Sequence, residues 1–247
     1  MSMKLVYITL CIAALLTASA ADGRAHKRKK TRAPEPWPEE VPDFKTDTAS
    51  TPQTAAEEIE PQVVVIDVFA GLTDDELVEQ MIGTSIFGEP EISAEAMERF
   101  VARNNPDFNP EIARAYITVG RRYGIRGDIA LCQSILETGW FKFADGTKVT
   151  PDQHNYCGLG VLKLGQRGHS FSTVEEGVTA QIQHLYAYAC NMPLPEGESI
   201  IDPRFKLVAR GVATTWQELS GRWAANDRYA RSIMKLFVQL QRFSSEQ

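Results

Sequence analysis

Asp128–Trp140 reads DIALCQSILETGW, and its spacing predicts a buried helix that ends by presenting an acid. Ile129, Cys132, Ile135 and Leu136 recur at three- and four-residue intervals and make a core-facing side. Gln133, Glu137 and Trp140 are spaced by four and then three, so they share another face, with Ser134 one turn behind Glu137. Asp128 is the expected N-cap, entered through Gly127, and Gly139 suits the left-handed residue that closes a helix. A carboxylate at Glu137, beside Trp140 and Phe141, is poorly solvated, and desolvation raises its pKa. An acid that stays protonated near neutral pH can donate a proton to a leaving group. A glutamate in the last turn of an amphipathic helix also has a plainer use, as a solvated residue or an ion-pair partner.

Outward from the helix, two further stretches weigh against the plainer use. SILETGWFKF at 134–143 is followed by HNYCGLG at 154–160 and by FSTVEEGVTAQIQHLYAYA at 171–189. In HNYCGLG, glycines let backbone approach a ligand, Asn155 offers a donor and an acceptor to an acetamido group or a loop carbonyl, and Tyr156 suits a sugar face or a turn. Together the three stretches resemble the glucosaminidase-domain family of bacterial peptidoglycan hydrolases, autolysins similar to glycoside hydrolase family 73. The resemblance runs from about Leu77 to Leu240. The family's Q-x-x-x-E-[ST]-G-W helix matches at Gln133, Glu137, Thr138, Gly139 and Trp140, and its N-[FLY]-x-G-[IL] turn at Asn155, Tyr156, Gly158 and Leu159. A late D-x-x-Y-A-x-x-I pattern matches at Asp227, at Tyr229 shifted by one, at Ala230 and at Ile233. His154 stands where a second Asn is common, and Cys157 where Phe or Ala is common.

The resemblance implies a mainly α, lysozyme-like superfold with a small β or loop lobe, Phe141–Gln153, over a cleft. It implies an endo-β-N-acetylglucosaminidase acting on the β-1,4 bonds of peptidoglycan glycan strands, with Glu137 as general acid and no cofactor. Gln133, Trp140, Asn155, Tyr156, Gly158, His184 and Tyr229 are the candidate substrate-binding residues. By helical spacing alone Tyr229 is core, and a histidine such as His184 on a mostly apolar helix is commonly a hydrogen-bonded core residue. Retaining glycosidases place a second carboxylate about 5 Å from the acid and inverting ones about 6.5–9.5 Å away. Asp145, Asp152, Glu175 and Glu176 are the candidates, although Asp145-Gly146 reads as a turn and Ser172–Glu175 as a capping box. The substrate's own acetamido group is the alternative. A muramidase or lytic transglycosylase would use the same acid on the other bond, and a non-catalytic wall-binding or assembly protein is the rival from another class.

The remaining chain frames this domain. Met1–Ala20 has a charged start at Lys4, an apolar run and a small-residue end at Ala18-Ser19-Ala20, which reads as a signal peptide directing export to the periplasm, envelope or exterior. Residues 1–32 carry seven Lys/Arg against one Asp, and residues 33–60 one Lys against eight acids, within a whole-chain net charge of −6. Residues 21–62 therefore read as a linker, basic and then acidic and Pro-rich, without a core of its own. The basic block 26–32 suits an anionic wall polymer or is simply solvated. The folded part, 63–247, shows no basic and aromatic stripe, so nucleic acid is not an expected partner and a monomer is expected. Val63–Ala70 is a short apolar run, strand or packed arm.

Capping patterns place helices at Thr73 with Glu76, at Ser93, and at Asn109 before Pro110, the last with Ile112, Tyr116, Val119 and Tyr123 inward. A helix over 173–191 buries Val174, Val178, Ile182, Leu185 and Ala189, and Trp216 and Trp223 suit either core or sugar stacking. Past Cys11, three cysteines remain. One disulfide plus a free thiol would fit, with Cys132 and Cys190 joining two core helices. His154 and Cys157 have a metal-like spacing, but no second close ligand pair accompanies them, so no metal site is expected.

Overall fold

The caps written in the sequence start the first three helices. In the computed structural model, which describes residues 71–144, 149–161 and 167–246, helix α1 (Asp74–Met81) begins at a capping box. The Thr73 hydroxyl accepts from Glu76 N–H and the Glu76 carboxylate from Thr73 N–H. Helix α2 (Ala94–Ala102) is capped by Ser93, and α3 (Pro110–Tyr123) by Asn109 with Pro110 in its first turn. Ile112, Tyr116, Val119 and Tyr123 of α3 are all buried, as their spacing predicts.

Helix α4 (Gly127–Thr138) is the central element, packed between α3 and α6 (Tyr229–Ser245). Its start differs from expectation. Asp128 lies inside the first turn, and the capping position, Arg126, makes no side-chain cap. The fully buried Asp128 carboxylate is instead committed to Arg126, whose Nε and Nη2 reach its two oxygens at 3.0 Å, and to the backbone N–H of Glu91 at 2.7 Å. A charge with no access to water is held by a two-point guanidinium pair and a backbone donor, which offset its desolvation. α4 also has no single core side. Its residues from Gly127 to Ile135 are all buried, whereas Leu136, expected inward, is 39 % exposed.

Helix α5 (Val174–Ala189) packs on α3 and buries the five residues its pattern predicts. Its cap sits one residue later than Ser172. The Thr173 hydroxyl accepts from Glu176 N–H, and Glu176 reaches back to Ser172 N–H at 2.8 Å. That leaves Glu175 free of the box, and it pairs with Arg122 on α3 at 2.8 Å. Helix α6 closes the core against α1, α2 and α4, with Tyr229, Ile233, Phe237 and Leu240 buried and Leu236 half-buried.

The mainly α expectation holds. The β part of the lobe does not appear among the described residues: there Phe141–Ala144 and Val149–Gly160 form loop and a 3-10 turn at Pro151–Gln153, and β pairing is confined to three isolated bridges elsewhere. The cysteines also differ from expectation. Cys132, Cys157 and Cys190 are all free thiols, Cys132 and Cys157 buried. Cys190, at the C-terminal cap of α5, donates to the Tyr186 carbonyl. No described helix is long and apolar enough to cross a membrane. The signal peptide, the linker, Val63–Ala70 and Asp145 lie outside the described residues.

Candidate active site

α4 delivers Glu137 to a cleft of about 470 Å³, and the chain then turns sharply away. Gly139 takes the left-handed geometry of a C-cap (φ 58°), and Trp140 (φ 63°) and Phe141 (φ 56°) follow it into the same region. Two successive non-glycine residues there are unfavourable, and tertiary hydrogen bonds hold them. Asn105 Nδ2 donates to the carbonyls of Trp140 (3.0 Å) and Phe141 (3.2 Å), and Phe141 N–H donates to the Thr138 hydroxyl (2.9 Å). This left-handed run breaks the helical register on which Trp140 was grouped with Glu137. Trp140 packs instead on Phe100 of α2, ring centroids 5.4 Å apart, and is absent from the cleft lining.

The Glu137 carboxyl is partly buried. Burial pushes its pKa above the ordinary carboxylate value, while the hydroxyl of Tyr229 and the Trp223 side chain pull in the other direction. Tyr229 donates to Glu137 Oε1 at 2.5 Å. Behind Tyr229 runs a buried polar chain. Gln133 Nε2 donates to the Tyr229 oxygen at 2.9 Å, and Gln181 Nε2 donates both to Gln133 Oε1 (2.9 Å) and to the carbonyl of Ala130 (3.1 Å). Gln181 Oε1 accepts from the hydroxyls of Tyr116 and Ser134. Gln133 is thus wholly buried and touches Tyr229, while the cleft surface lies beyond it. Desolvation favours the protonated form of a carboxyl beside an open cleft, and in that form it can offer its proton to a ligand oxygen.

The HNYCGLG turn forms one wall. Gly158 lines the cleft with Cys157, Leu159 and Gly160. Asn155 and Tyr156 lie behind that wall. Asn155 is fully buried, its amide donating to the carbonyls of Leu159 and His169 and accepting from Leu159 N–H, so it serves the loop carbonyls. Tyr156 is core, packed edge-on against Phe141, with its hydroxyl on His154 Nδ1. Gly177 of α5 seats the turn: a Cβ there would lie 1.8 Å from the His154 carbonyl oxygen.

α5 supplies the opposite wall through His184 and Tyr188. His184 combines the two readings open for it, lining the cleft while its Nδ1 lies 2.7 Å from Oδ2 of the buried Asp202. Trp223 stands edge-on to the His184 ring at 4.9 Å and lines the cleft, whereas Trp216 is fully buried in the core. Asp202, Arg204 and Arg222 complete this side and were not singled out from sequence for the site. They sit in loops without periodicity, and the one local signal was the turn dipeptide Asp202-Pro203.

The three described candidates for the second carboxylate lie elsewhere. Asp152 is exposed at the 3-10 turn, where the Thr150 side chain holds its pKa below the usual range and Arg167 lies 3.7 Å away. Glu175 and Glu176 are in the first turn of α5, and a rise of about 1.5 Å per residue sets them roughly 12 Å or more along the axis from His184. Among the described lining residues, Glu137 is the single carboxylate. Also among the described residues, no three His, Cys, Asp or Glu side chains cluster as metal ligands would.

Comparison with known proteins gives the chain a family. Residues 113–242, which hold most of α3, α4, the HNYCGLG turn, α5 and most of α6, match the family model for glucosaminidase, described as mannosyl-glycoprotein endo-beta-N-acetylglucosaminidase. An uncharacterised protein of Borreliella burgdorferi is 37% identical over 147 residues, covering 56% of this chain and 70% of that protein. Among solved structures, the catalytic domain of the autolysin Auto from Listeria monocytogenes aligns with a TM-score of 0.36 and 16% identity, over 60% of this chain and 87% of that one. On the family match, which spans more than half of its length, the chain belongs to the glucosaminidase family.

Proposed function

We propose that the chain is an exported endo-β-N-acetylglucosaminidase that cleaves the β-1,4 bond on the reducing side of N-acetylglucosamine in peptidoglycan, with Glu137 as general acid. The observation that carries this reading is the desolvated Glu137 carboxyl, opening on the cleft with Tyr229 on one oxygen. Because Oε1 is occupied by the phenol's proton, the acid proton belongs on Oε2. From there it passes to the glycosidic oxygen as the bond from that oxygen to the anomeric carbon breaks. The anomeric carbon is then attacked either by the substrate's own acetamido oxygen or by a water that Asp145 activates. Acid-assisted cleavage of this kind uses no metal and no organic cofactor. The short apolar segment at Met1–Ala20 supports export to the envelope or beyond, where the polymer lies, and the basic block 26–32 suits anionic wall polymer.

Digestion of purified peptidoglycan by the protein and by its Glu137→Gln variant, with mass spectrometry of reduced and unreduced fragments, tests the proposal. Fragments ending in reducing N-acetylglucosamine, lost in the variant, are expected. Reducing N-acetylmuramic or anhydro ends would move the cut to the other bond. Wall binding without any release would replace the enzyme with a binding protein.

A further inference from the structure

The cleft continues past Glu137 into a second hollow of about 370 Å³, and the two share His184, Tyr188, Arg204 and Arg222. The outer wall of the second hollow is apolar, with Leu207 at 71 % and Val212 at 38 % exposure. Its two arginines come from separate loops. The backbone N–H of Arg204 is fixed on Asp202 Oδ1 at 2.8 Å. Arg222 is held at both ends, its Nη1 donating to the Glu218 carbonyl at 2.8 Å and its own carbonyl accepting from the Tyr188 hydroxyl at 3.1 Å. Among the described residues neither guanidinium has a carboxylate within ion-pair distance. The nearby acid, Asp202, is fully buried and already committed to His184 and to the Arg204 N–H. In a chain of net charge −6, this end of the cleft is therefore cationic, and its cations face open space.

A β-1,4 glycan of N-acetylhexosamines is uncharged along its backbone and gives two arginines nothing to pair with. What distinguishes peptidoglycan is the short peptide on every second sugar, which carries carboxylates and alanine methyl groups. Guanidinium forks suit carboxylates in two-point contact, and an apolar shelf beside them suits methyl groups. We infer that the hollow is a stem subsite: Arg204 and Arg222 pair with carboxylates of the peptide stem, and Leu207 and Val212 take its methyl groups, next to the sugar whose bond lies at Glu137. This rests on the peptidoglycan reading of the cleft, and it specifies peptide-bearing strands over bare ones as the preferred substrate.

The test uses the full chain carrying Glu137→Gln, so that binding is read without turnover. Soluble glycan strands bearing stems, uncharged oligomers of β-1,4-linked N-acetylglucosamine, and stem-bearing strands with their carboxylates chemically amidated are titrated calorimetrically. Stem-bearing strands should bind about tenfold or more tightly than either other form, the worth of one charge-assisted contact. The preference should shrink with added salt. It should also disappear when Arg204→Ala and Arg222→Ala are added. Equal affinity for the three strands would overturn the subsite, as would a preference that survives amidation or the loss of both arginines. If the protein with Glu137 intact releases no reducing ends while the preference persists, the hydrolase reading fails and the subsite stands.

Discussion

Tyr229 donates its single hydroxyl proton to Glu137 Oε1, because its oxygen is already the acceptor for Gln133 Nε2. The direction of that proton is fixed two turns back on α4. Gln181 Nε2 faces the Ala130 carbonyl, which accepts only; this orients the Gln181 amide, which orients that of Gln133, which leaves the phenol free to donate only toward the carboxyl.

Tyr229→Phe removes the group that lowers the Glu137 pKa most, so that pKa should rise further. The high-pH limb of the kcat profile on peptidoglycan then moves to higher pH, and kcat falls roughly ten- to a hundredfold, part of the 10²–10⁴ a positioned proton donor contributes. A limb that stays in place would show that the phenol does not act on the acid.

The raised pKa of Glu137 also costs stability. The folded carboxyl holds its proton more tightly than the unfolded one, so stability is full below the unfolded value of about 4.3 and falls as pH rises through the raised folded value. Glu137→Gln should therefore gain stability at pH 7 and nothing near pH 3.5. Urea denaturation at the two pH values reads the difference; an equal change at both would refute the assignment.

Asn105 holds the left-handed run after Glu137 by its two amide contacts to Trp140 and Phe141. Its replacement by Ala leaves two carbonyls without that donor and should lower stability by about 1–3 kcal/mol. The turn places the end of α4, so kcat should fall more than KM rises. Steady-state kinetics beside a thermal melt checks both.

Gln181→Leu strips a buried amide from Gln133, Tyr116 and Ser134 at once. Destabilisation of about 2–3 kcal/mol is expected, larger than the ~1 kcal/mol for Thr173→Ala at the N-cap of the same helix. Equal losses would mean that the network carries no special weight.

Much of this was legible from residue patterns. The caps at Thr73, Ser93 and Asn109 are local, and the structure reproduces them. Glu137, Gly158 and Tyr229 lie together where the motifs led. The grouping of Gln133 and Trp140 with Glu137 illustrates why face arguments ran out. α4 is enclosed on nearly every side, so sharing a face does not mean sharing a cleft, and the left-handed turn carries Trp140 off the helix before its face would count. Asn155 and Tyr156 have chemistry suited to sugars, but the same groups satisfy loop carbonyls and a core, and only the tertiary contacts distinguish those uses. Arg204, Arg222 and Asp202 lie in loops whose spacing obeys no period, so no pattern announced them.

The contact between Gly177 and the His154 carbonyl makes α5 a caliper. One jaw, the HNYCGLG turn, is seated on the helix backbone with no side chain between, and the other jaw, His184 and Tyr188, projects from the same rod two and three turns on. The opening between them is gauged by a missing methyl group. Even the smallest addition at that glycine would spread the jaws and leave both intact, widening the cleft without altering any residue that lines it.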